Sequence, residues 1–161
     1  MIYATVLIGL IFIWMMFFRK RKPEIKPTFF CKKAFVETLQ EVQMFNALNH
    51  ERRIEKIPPL IYCEQLNETA KLVAEFLDEG GEFSHSYFRE IVRPSMKQKY
   101  LKLQMGEIIA RHTYNVYNVI DAWMLSDSHR RVILFPKWVC FGYKRVGNYW
   151  VVHFAYENLK I

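Results

Sequence analysis

The side chains best suited to chemistry lie in one short segment, Trp123 to Pro136, which reads WMLSDSHRRVILFP. Its histidine, His129, can act as an acid, a base or a metal ligand, because an imidazole changes charge near neutral pH. Ser126 or Ser128 with Asp121 would complete a hydrolytic Ser–His–Asp set. The sequence has no Gly-x-Ser-x-Gly turn, and neighbours at one helix end rarely reach triad geometry. Taken alone, His129 is therefore expected to be a surface or hydrogen-bonded residue.

Two helices are predicted to position this segment. The buried stripe of the first recurs at helical spacing and comprises Val116, Val119, Ile120 and Trp123. The Ser126-Asp127-Ser128 sequence favours a helix stop followed by a new N-cap. A short helix is therefore predicted to begin near Ser128, with His129 in its first turn.

Two longer helices are predicted before it. The first runs from about Lys33 to Ile54 and ends before Pro58-Pro59, and the second runs from Glu64 to Glu79 and ends at Gly80-Gly81. The predicted buried face of the first is Phe35, Leu39, Val42, Phe45 or Asn46, and Asn49. That of the second is Leu66, Ala70, Val73 and Leu77.

The last third of the chain has the clearest β pattern. Trp138 to Val146 and Tyr149 to Tyr156 are aromatic and β-branched runs joined by Gly147-Asn148, which predicts an antiparallel hairpin. Gly106 to Arg111 is predicted to be extended, and the segment before it to hold short helical turns around Pro94. The aromatic residues of the hairpin are expected to form sheet core.

The net charge of +7 is concentrated near the start of the chain. Between Arg19 and Lys33 lie seven of the 23 basic residues and one of the 16 acidic residues, which leaves 16 basic and 15 acidic residues elsewhere. A nearly neutral domain lacks the basic footprint of a nucleic-acid-binding protein. Nucleic acid is therefore excluded as the main partner, and the basic segment is expected to lie on anionic lipid headgroups.

A membrane anchor is predicted before the basic segment. Ile2 to Phe18 contains no charged residue and is just long enough to cross a bilayer as a helix. Positive charge follows this run and does not precede it, and the run ends in Met-Met-Phe-Phe, so a cleaved signal peptide is disfavoured. The predicted organisation is a transmembrane anchor at 1–18, a basic juxtamembrane linker at 19–33 and one domain at 34–161.

The cluster Arg19-Lys20-Arg21-Lys22 predicts that the domain faces the cytoplasm, by the positive-inside rule. Three widely spaced cysteines favour reduced thiols and agree with that assignment. Asn67-Glu68-Thr69 is a glycosylation sequon, which has meaning only in a secretory lumen.

Several motifs together resemble the CAP superfamily of cysteine-rich secretory proteins, antigen five and pathogenesis-related proteins, whose domain is also called SCP-like. Matching residues are Asn49 and Arg52, Pro58-Pro59-Leu60, Phe83-Ser84-His85, Gly106-Glu107-Ile108-Ile109-Ala110, Ala122-Trp123, Ser126, His129-Arg130, Ile133-Leu134, Pro136, Gly142 and Tyr149-Trp150-Val151. The resemblance covers about Phe35 to Tyr156 and implies an α+β fold, an α-β-α sandwich around a small antiparallel sheet. Most members of the family are secreted, which would place the domain outside the cell or in a lumen.

The resemblance also implies a site. Two histidines and acidic residues meet in the family's cleft, and the matching positions are His85, Glu107 and His129. Two imidazoles and a carboxylate with an open fourth position would suit zinc, the implied cofactor. A second acid found in some branches falls at Ser126, so only Asp127 could replace it. Three positions differ from the family pattern: Ile108 replaces an Asn, Leu48 a His and Lys144 a Gly.

Three functions remain open. The first is a membrane-anchored CAP domain acting as a binding or structural module with protein partners, for example in the membrane and shell of a large virus. The second is a metal-dependent, peptidase-like hydrolase in which His85 and His129 hold zinc and Glu107 handles protons. The third is a lipid- or sterol-binding protein, which a hydrophobic groove open to solvent would favour.

Overall fold

The computed structural model describes residues 38–157. The helices are α1 (Leu39–Ile54), α2 (Glu64–Asp78), α3 (Arg93–Lys99), α4 (Val116–Leu125) and α5 (Asp127–Ile133), and a π-helical turn (Phe88–Val92) precedes α3. The strands are β1 (Ile61–Tyr62), β2 (Leu103–Arg111), β3 (Cys140–Val146) and β4 (Tyr149–Glu157). The predicted anchor at 1–18 and linker at 19–33 lie outside the described residues. None of the helices within 38–157 has the length and apolarity to cross a bilayer.

The four strands form one sheet in the order β1-β3-β4-β2. The predicted β3–β4 hairpin is present, and β2 pairs antiparallel with β4 along its full length. The expectation of a purely antiparallel sheet is wrong, because β1 pairs in parallel with β3, with Ile61 opposite Cys140. Two residues are too few to give a strand pattern in a sequence, and the pairing depends on the fold of the whole chain.

Helices cover both faces of the sheet, which gives the predicted α-β-α layers. One core packs α2, the π-helical turn and the odd-numbered residues of β2, and its members include Leu66, Ala70, Val73, Leu77, Phe88, Met105 and Ile109. The other core packs α1, α4 and α5 and includes Met44, Leu48, Ile108, Trp123, Ile133 and Trp150. The predicted stripes of α2 and α4 are both buried.

The predicted buried face of α1 is wrong. Leu39 is 74% exposed and Val42 39% exposed, whereas Met44, Leu48 and Arg52 are fully buried. The buried stripe of α1 combines Met44 and Leu48 with the charged residues Glu41 and Arg52, so apolar periodicity alone does not identify the face that packs. Its start is set by a capping box at Thr38, which precedes the first helical residue.

The first family motif, Asn49 and Arg52, has a structural role. The Arg52 guanidinium donates to four carbonyl oxygens, at 2.8 Å to Ile133, 2.9 Å to Pro58, 3.0 Å to Phe135 and 3.3 Å to Trp138. Asn49 accepts from Leu60 N at 2.7 Å and donates to Leu60 O at 3.2 Å. These bonds tie α1 to the segment before β1 and to the loop that follows α5.

Two glycines allow close packing against the sheet. A Cβ on Gly106 would lie 2.6 Å from the Trp138 ring, and one on Gly142 would lie 2.1 Å from Asn67 N in α2. Neither gap leaves room for a side chain. The glycine of the Gly-Glu box therefore allows Trp138 to cover one face of β2, while Glu107 projects from the other face.

Candidate functional site

The centre of the candidate site is the carboxylate of Glu107 in the middle of β2. Its side chain is 1% exposed, and each oxygen accepts a hydrogen bond from an imidazole. Oε1 lies 2.7 Å from His85 Nδ1, and Oε2 lies 2.8 Å from His153 Nε2. His85 follows α2 and precedes the π-helical turn, and its side chain is 41% exposed. A buried carboxylate thus connects a buried histidine to one that reaches solvent.

Glu107 is ionised. Burial alone would raise its pKa, but the hydrogen bonds and charges of His153 and His85 outweigh burial and lower the pKa below its ordinary value of 4.5. Because the carboxylate only accepts, His85 donates through Nδ1–H and His153 donates through Nε2–H. In neutral His85 the lone pair therefore lies on Nε2. That nitrogen is available as a base or a metal ligand.

His153 is a site residue that the sequence resemblance did not identify. Its pairing opposite Glu107 in the β2–β4 register brings the two side chains together, and Phe88 packs on its ring with centroids 4.8 Å apart. Nδ1 lies 2.8 Å from the Thr69 hydroxyl, which also lies 3.0 Å from Leu66 O. A polar residue in a strand of buried apolar residues was the available signal. The partner strand that supplies Glu107 was not evident from the sequence.

His129 approaches from the other side of the sheet. It is the third residue of α5, which begins at Asp127, one position before the predicted start near Ser128, with Ser126 as its N-cap. His129 Nδ1 lies 2.9 Å from Ser126 Oγ, which in turn lies 3.0 Å from Ser128 Oγ. Burial and then the charge of His85 lower the pKa of His129, so it is neutral at pH 7. Within residues 38–157 no hydrogen bond joins the two imidazoles.

The zinc set inferred from the resemblance fits these residues in part. Within residues 38–157, no group of three or more His, Cys, Asp or Glu side chains is arranged to hold a metal ion. Both oxygens of Glu107 accept from imidazoles, so its geometry suits orienting His85 better than binding an ion directly. The two imidazoles are one ligand short of the three that catalytic zinc sites use. Metal binding by His85, Glu107 and His129 stays a prediction.

The residue next to Glu107 departs from the family pattern without disturbing the carboxylate. Ile108 is fully buried in the core beneath α1 and α4, on the face opposite Glu107. Its side chain is thus part of the packing and points away from His85 and His153, the two imidazoles that bond to Glu107. Asp127, the proposed substitute acid, is exposed at the start of α5.

The Glu107 cluster predicts an acid-sensitive step in stability. A carboxyl group with a lowered folded-state pKa contributes stability above its unfolded pKa and loses that contribution as pH falls through the folded value. We expect wild-type stability to drop below about pH 4.5 and Glu107→Gln to flatten that drop. At pH 7 the variant should lose about 1–3 kcal/mol, because an amide cannot accept from both imidazoles. Urea titrations across pH measure both effects. If stability fell with acid equally in the wild type and in Glu107→Gln, the role assigned to the Glu107 carboxylate would be wrong.

A separate groove lies between α1 and α4. Its volume is about 670 Å³, and its lining combines Phe45, Pro59, Tyr117 and Ile120 with Asn46, Asn49, Glu51, Arg53 and Asp121. Tyr117 is exposed there. This groove is the location that the lipid-binding hypothesis requires, although polar side chains form much of its wall.

Comparison with known proteins gives structural matches only. No protein-family model matches the sequence, and neither does any curated protein. An outer surface protein of Borrelia burgdorferi superposes with a TM-score of 0.68 at 19% identity, covering 80% of this chain and 99% of that one. A cysteine-rich secretory protein of Staphylococcus aureus gives 0.63 at 20% identity, covering 77% of this chain and 41% of that one.

An extracellular protein of Bacillus anthracis that contains an SCP domain gives a TM-score of 0.63 at 19% identity, covering 75% of this chain and 44% of that one. The present chain thus spans less than half the length of the staphylococcal and Bacillus proteins. At these identities the likeness concerns the fold.

Proposed function

The chain has the fold of the CAP superfamily, and from that premise we propose that it is a binding module tethered to a membrane by its N-terminal segment. The proposal rests on the burial and hydrogen bonding of the Glu107 carboxylate. This carboxylate is buried and both of its oxygens accept from imidazoles. Such a group is well suited to hold His85 in one orientation, and less suited to take up a proton during turnover.

The surrounding residues support a recognition role. His85 bonds to Glu107 of β2, His129 lies in α5, which packs against β2, and both histidines are partly exposed. Imidazole nitrogens can donate or accept hydrogen bonds, so both side chains can contact a ligand. A protein partner or a peptide is the ligand class that fits the proposed module. Membership of a larger assembly such as a virus particle stays a hypothesis.

The proposal predicts binding without turnover. The full chain, incubated in detergent with a mixed peptide library and with zinc or no added metal, should leave the peptides intact by mass spectrometry. His85→Ala combined with His129→Ala is the matched control, since it removes both partly exposed imidazoles. Cleavage by the wild-type chain that disappears in this control would replace the binding proposal with the hydrolase.

The hydrolase remains the second candidate because of one specific contact. The 2.7 Å bond between Glu107 Oε1 and His85 Nδ1 resembles a carboxylate–histidine dyad, which leaves His85 Nε2 free of its own proton. In that mechanism Glu107 orients His85, His85 accepts a proton from water or from a substrate group, and His129 assists as a second imidazole. In a zinc-dependent variant of the mechanism, His85 Nε2 and His129 would hold the ion, which would supply Lewis acidity, and His85 would then not act as the base.

Membrane attachment and sidedness rest on the sequence. The apolar run and the basic residues after it favour a domain on the cytoplasmic face. The descriptions of the three similar structures refer to surface, secretory and extracellular proteins, which favours the opposite side. Charge is a property of this chain itself, so we retain the cytoplasmic assignment.

Protease protection in sealed vesicles tests that assignment. The domain should be digested from the cytoplasmic side without detergent, and protection until detergent is added would place it on the other side. A glycan is a poor reporter here, because Asn67 and Thr69 lie inside α2. Asn67 Oδ1 is buried, and the Thr69 hydroxyl contacts His153.

A further inference from the structure

We propose that the outer edge of β2, between Leu103 and Ile109, binds an extended peptide as an added strand beside His85 and His129. This inference rests on the proposed binding function and names its partner class. A strand edge recognises an extended main chain through its N–H and C=O groups, and neighbouring pockets then select side chains.

The edge is identified by the direction of its main-chain groups. Among the strands of residues 38–157, β2 is the last on its side of the sheet. Its odd-numbered residues turn their N–H and C=O groups away from β4, since Leu103 N donates to Tyr100 O and Ile109 O accepts from Trp123 Nε1. Those two bonds close the ends of the edge. Between them, Met105 and Glu107 turn the same groups outward, and residues 38–157 offer these groups no partner.

The open part of the edge reaches solvent. Glu107 as a whole residue is 8% exposed, whereas its side chain is 1% exposed, so nearly all of its exposed area belongs to the main chain. The distance from Leu103 to Ile109 accommodates a partner segment of about five to seven residues. A small molecule would not match this repeated donor and acceptor pattern along the strand.

The imidazoles flank the same edge from opposite faces. His85 bonds to Glu107 on one face of β2. His129 lies in α5, which packs on the other face and adjoins β2 there, since Ser128 of α5 lines one pocket with Met105. A strand added to β2 would therefore run between His85 and His129. This arrangement gives the two histidines a role as lateral contacts to the bound main chain.

A side pocket next to Met105 gives this edge a preference for a peptide with an acidic side chain. Its volume is about 380 Å³, and its lining includes Gln104, Ser128, Arg131 and Trp138. Arg131 is exposed and forms no ion pair with another described residue. An acidic side chain of the peptide would complement this guanidinium, so the preferred occupant is an extended peptide with a central Asp or Glu.

The experiment uses the full chain in detergent and blocked, fluorescein-labelled seven-residue peptides of alternating Val and Thr. The central residue is Glu, Lys or Ala, and anisotropy measures affinity. The Glu peptide should bind about three- to tenfold more tightly than the Lys peptide, and Arg131→Glu should reverse the order. Lys71→Glu, an equal charge change on the outer face of α2, should keep the order.

Main-chain recognition is tested by modifying the peptide, so this test does not require a protein variant that still folds. In one version of the Glu peptide the odd-numbered backbone nitrogens are methylated, and in the other version the even-numbered ones. One version should lose at least about tenfold in affinity because its methyl groups face β2, and the other should retain binding. Equal affinities for the two versions would overturn the proposal. So would a dimer of the chain that excludes peptide from this edge.

The outcomes also separate this inference from the proposed function. Edge binding followed by cleavage, seen by mass spectrometry, would overturn the binding-module proposal and leave the edge assignment intact. Peptide binding that is indifferent to N-methylation and to Arg131→Glu would overturn the edge assignment and leave the module proposal standing.

Discussion

Replacing Arg52 by methionine is expected to cost on the order of 3–5 kcal/mol of folding free energy, the largest single effect of a polar residue in this domain. Arg52 is fully buried, and its guanidinium donates to carbonyl oxygens of three residues in the loop around α5 and to Pro58. Burial lowers its pKa to about 10, so it stays charged at pH 7. Methionine fills much of the volume but donates to none of the four oxygens, of which only Phe135 O keeps another donor, Trp138 N.

Arg53→Met is the matched control for this prediction. Arg53 is the next residue in α1 and its contact with His50 Nδ1 is exposed, so its replacement should change stability by less than about 0.5 kcal/mol. Arg52→Lys should recover only part of the loss, because an ammonium cannot reach four oxygens in the fork geometry of a guanidinium. Urea unfolding followed by circular dichroism measures all three variants. Equal losses for Arg52→Met and Arg53→Met would refute the structural role.

Trp123→Ala should cost about 3–5 kcal/mol, by the rule for truncating large buried side chains. Trp123 is 1% exposed in the core beneath α4, and its Nε1 donates to Ile109 O at 3.2 Å. Trp123→Phe should retain most of the packing and cost about 1–3 kcal/mol, because Ile109 O loses its donor. The bond also closes one end of the β2 edge.

Tyr117→Ala in the same helix is the control, since that side chain is exposed and should contribute little. His129→Ala should also cost far less than Trp123→Ala, because His129 is only partly buried and bonds to a serine at the helix start. Thermal and urea unfolding of the variants give the comparison. Losses of similar size for Trp123→Ala and Tyr117→Ala would contradict the packing described for α4.

The sequence predicted the elements whose patterns are local. The stripes of α2 and α4 and the β3–β4 hairpin were identified correctly, because apolar periodicity and a Gly-Asn turn act over a few residues. Trp123 was correctly assigned to the core. The stripe of α1 was misassigned, because its buried face includes Arg52, whose partners come from the loop after α5.

The candidate site shows the same division between sequence and tertiary structure. The resemblance to the CAP superfamily pointed to His85, Glu107 and His129, and the tertiary structure adds the bond between Glu107 and His85.

The sequence by itself determined the charged and apolar character of the N-terminal segment, the amphipathic helices and the residue types of the site. Only the tertiary structure decided that β2 pairs with β4 and so places His153 against Glu107. The same pairing turns the main chain of Met105 and Glu107 toward an open edge. The reason is physical: hydrogen-bond direction and charge compensation depend on which strands become neighbours, and that pairing joins residues far apart in the chain.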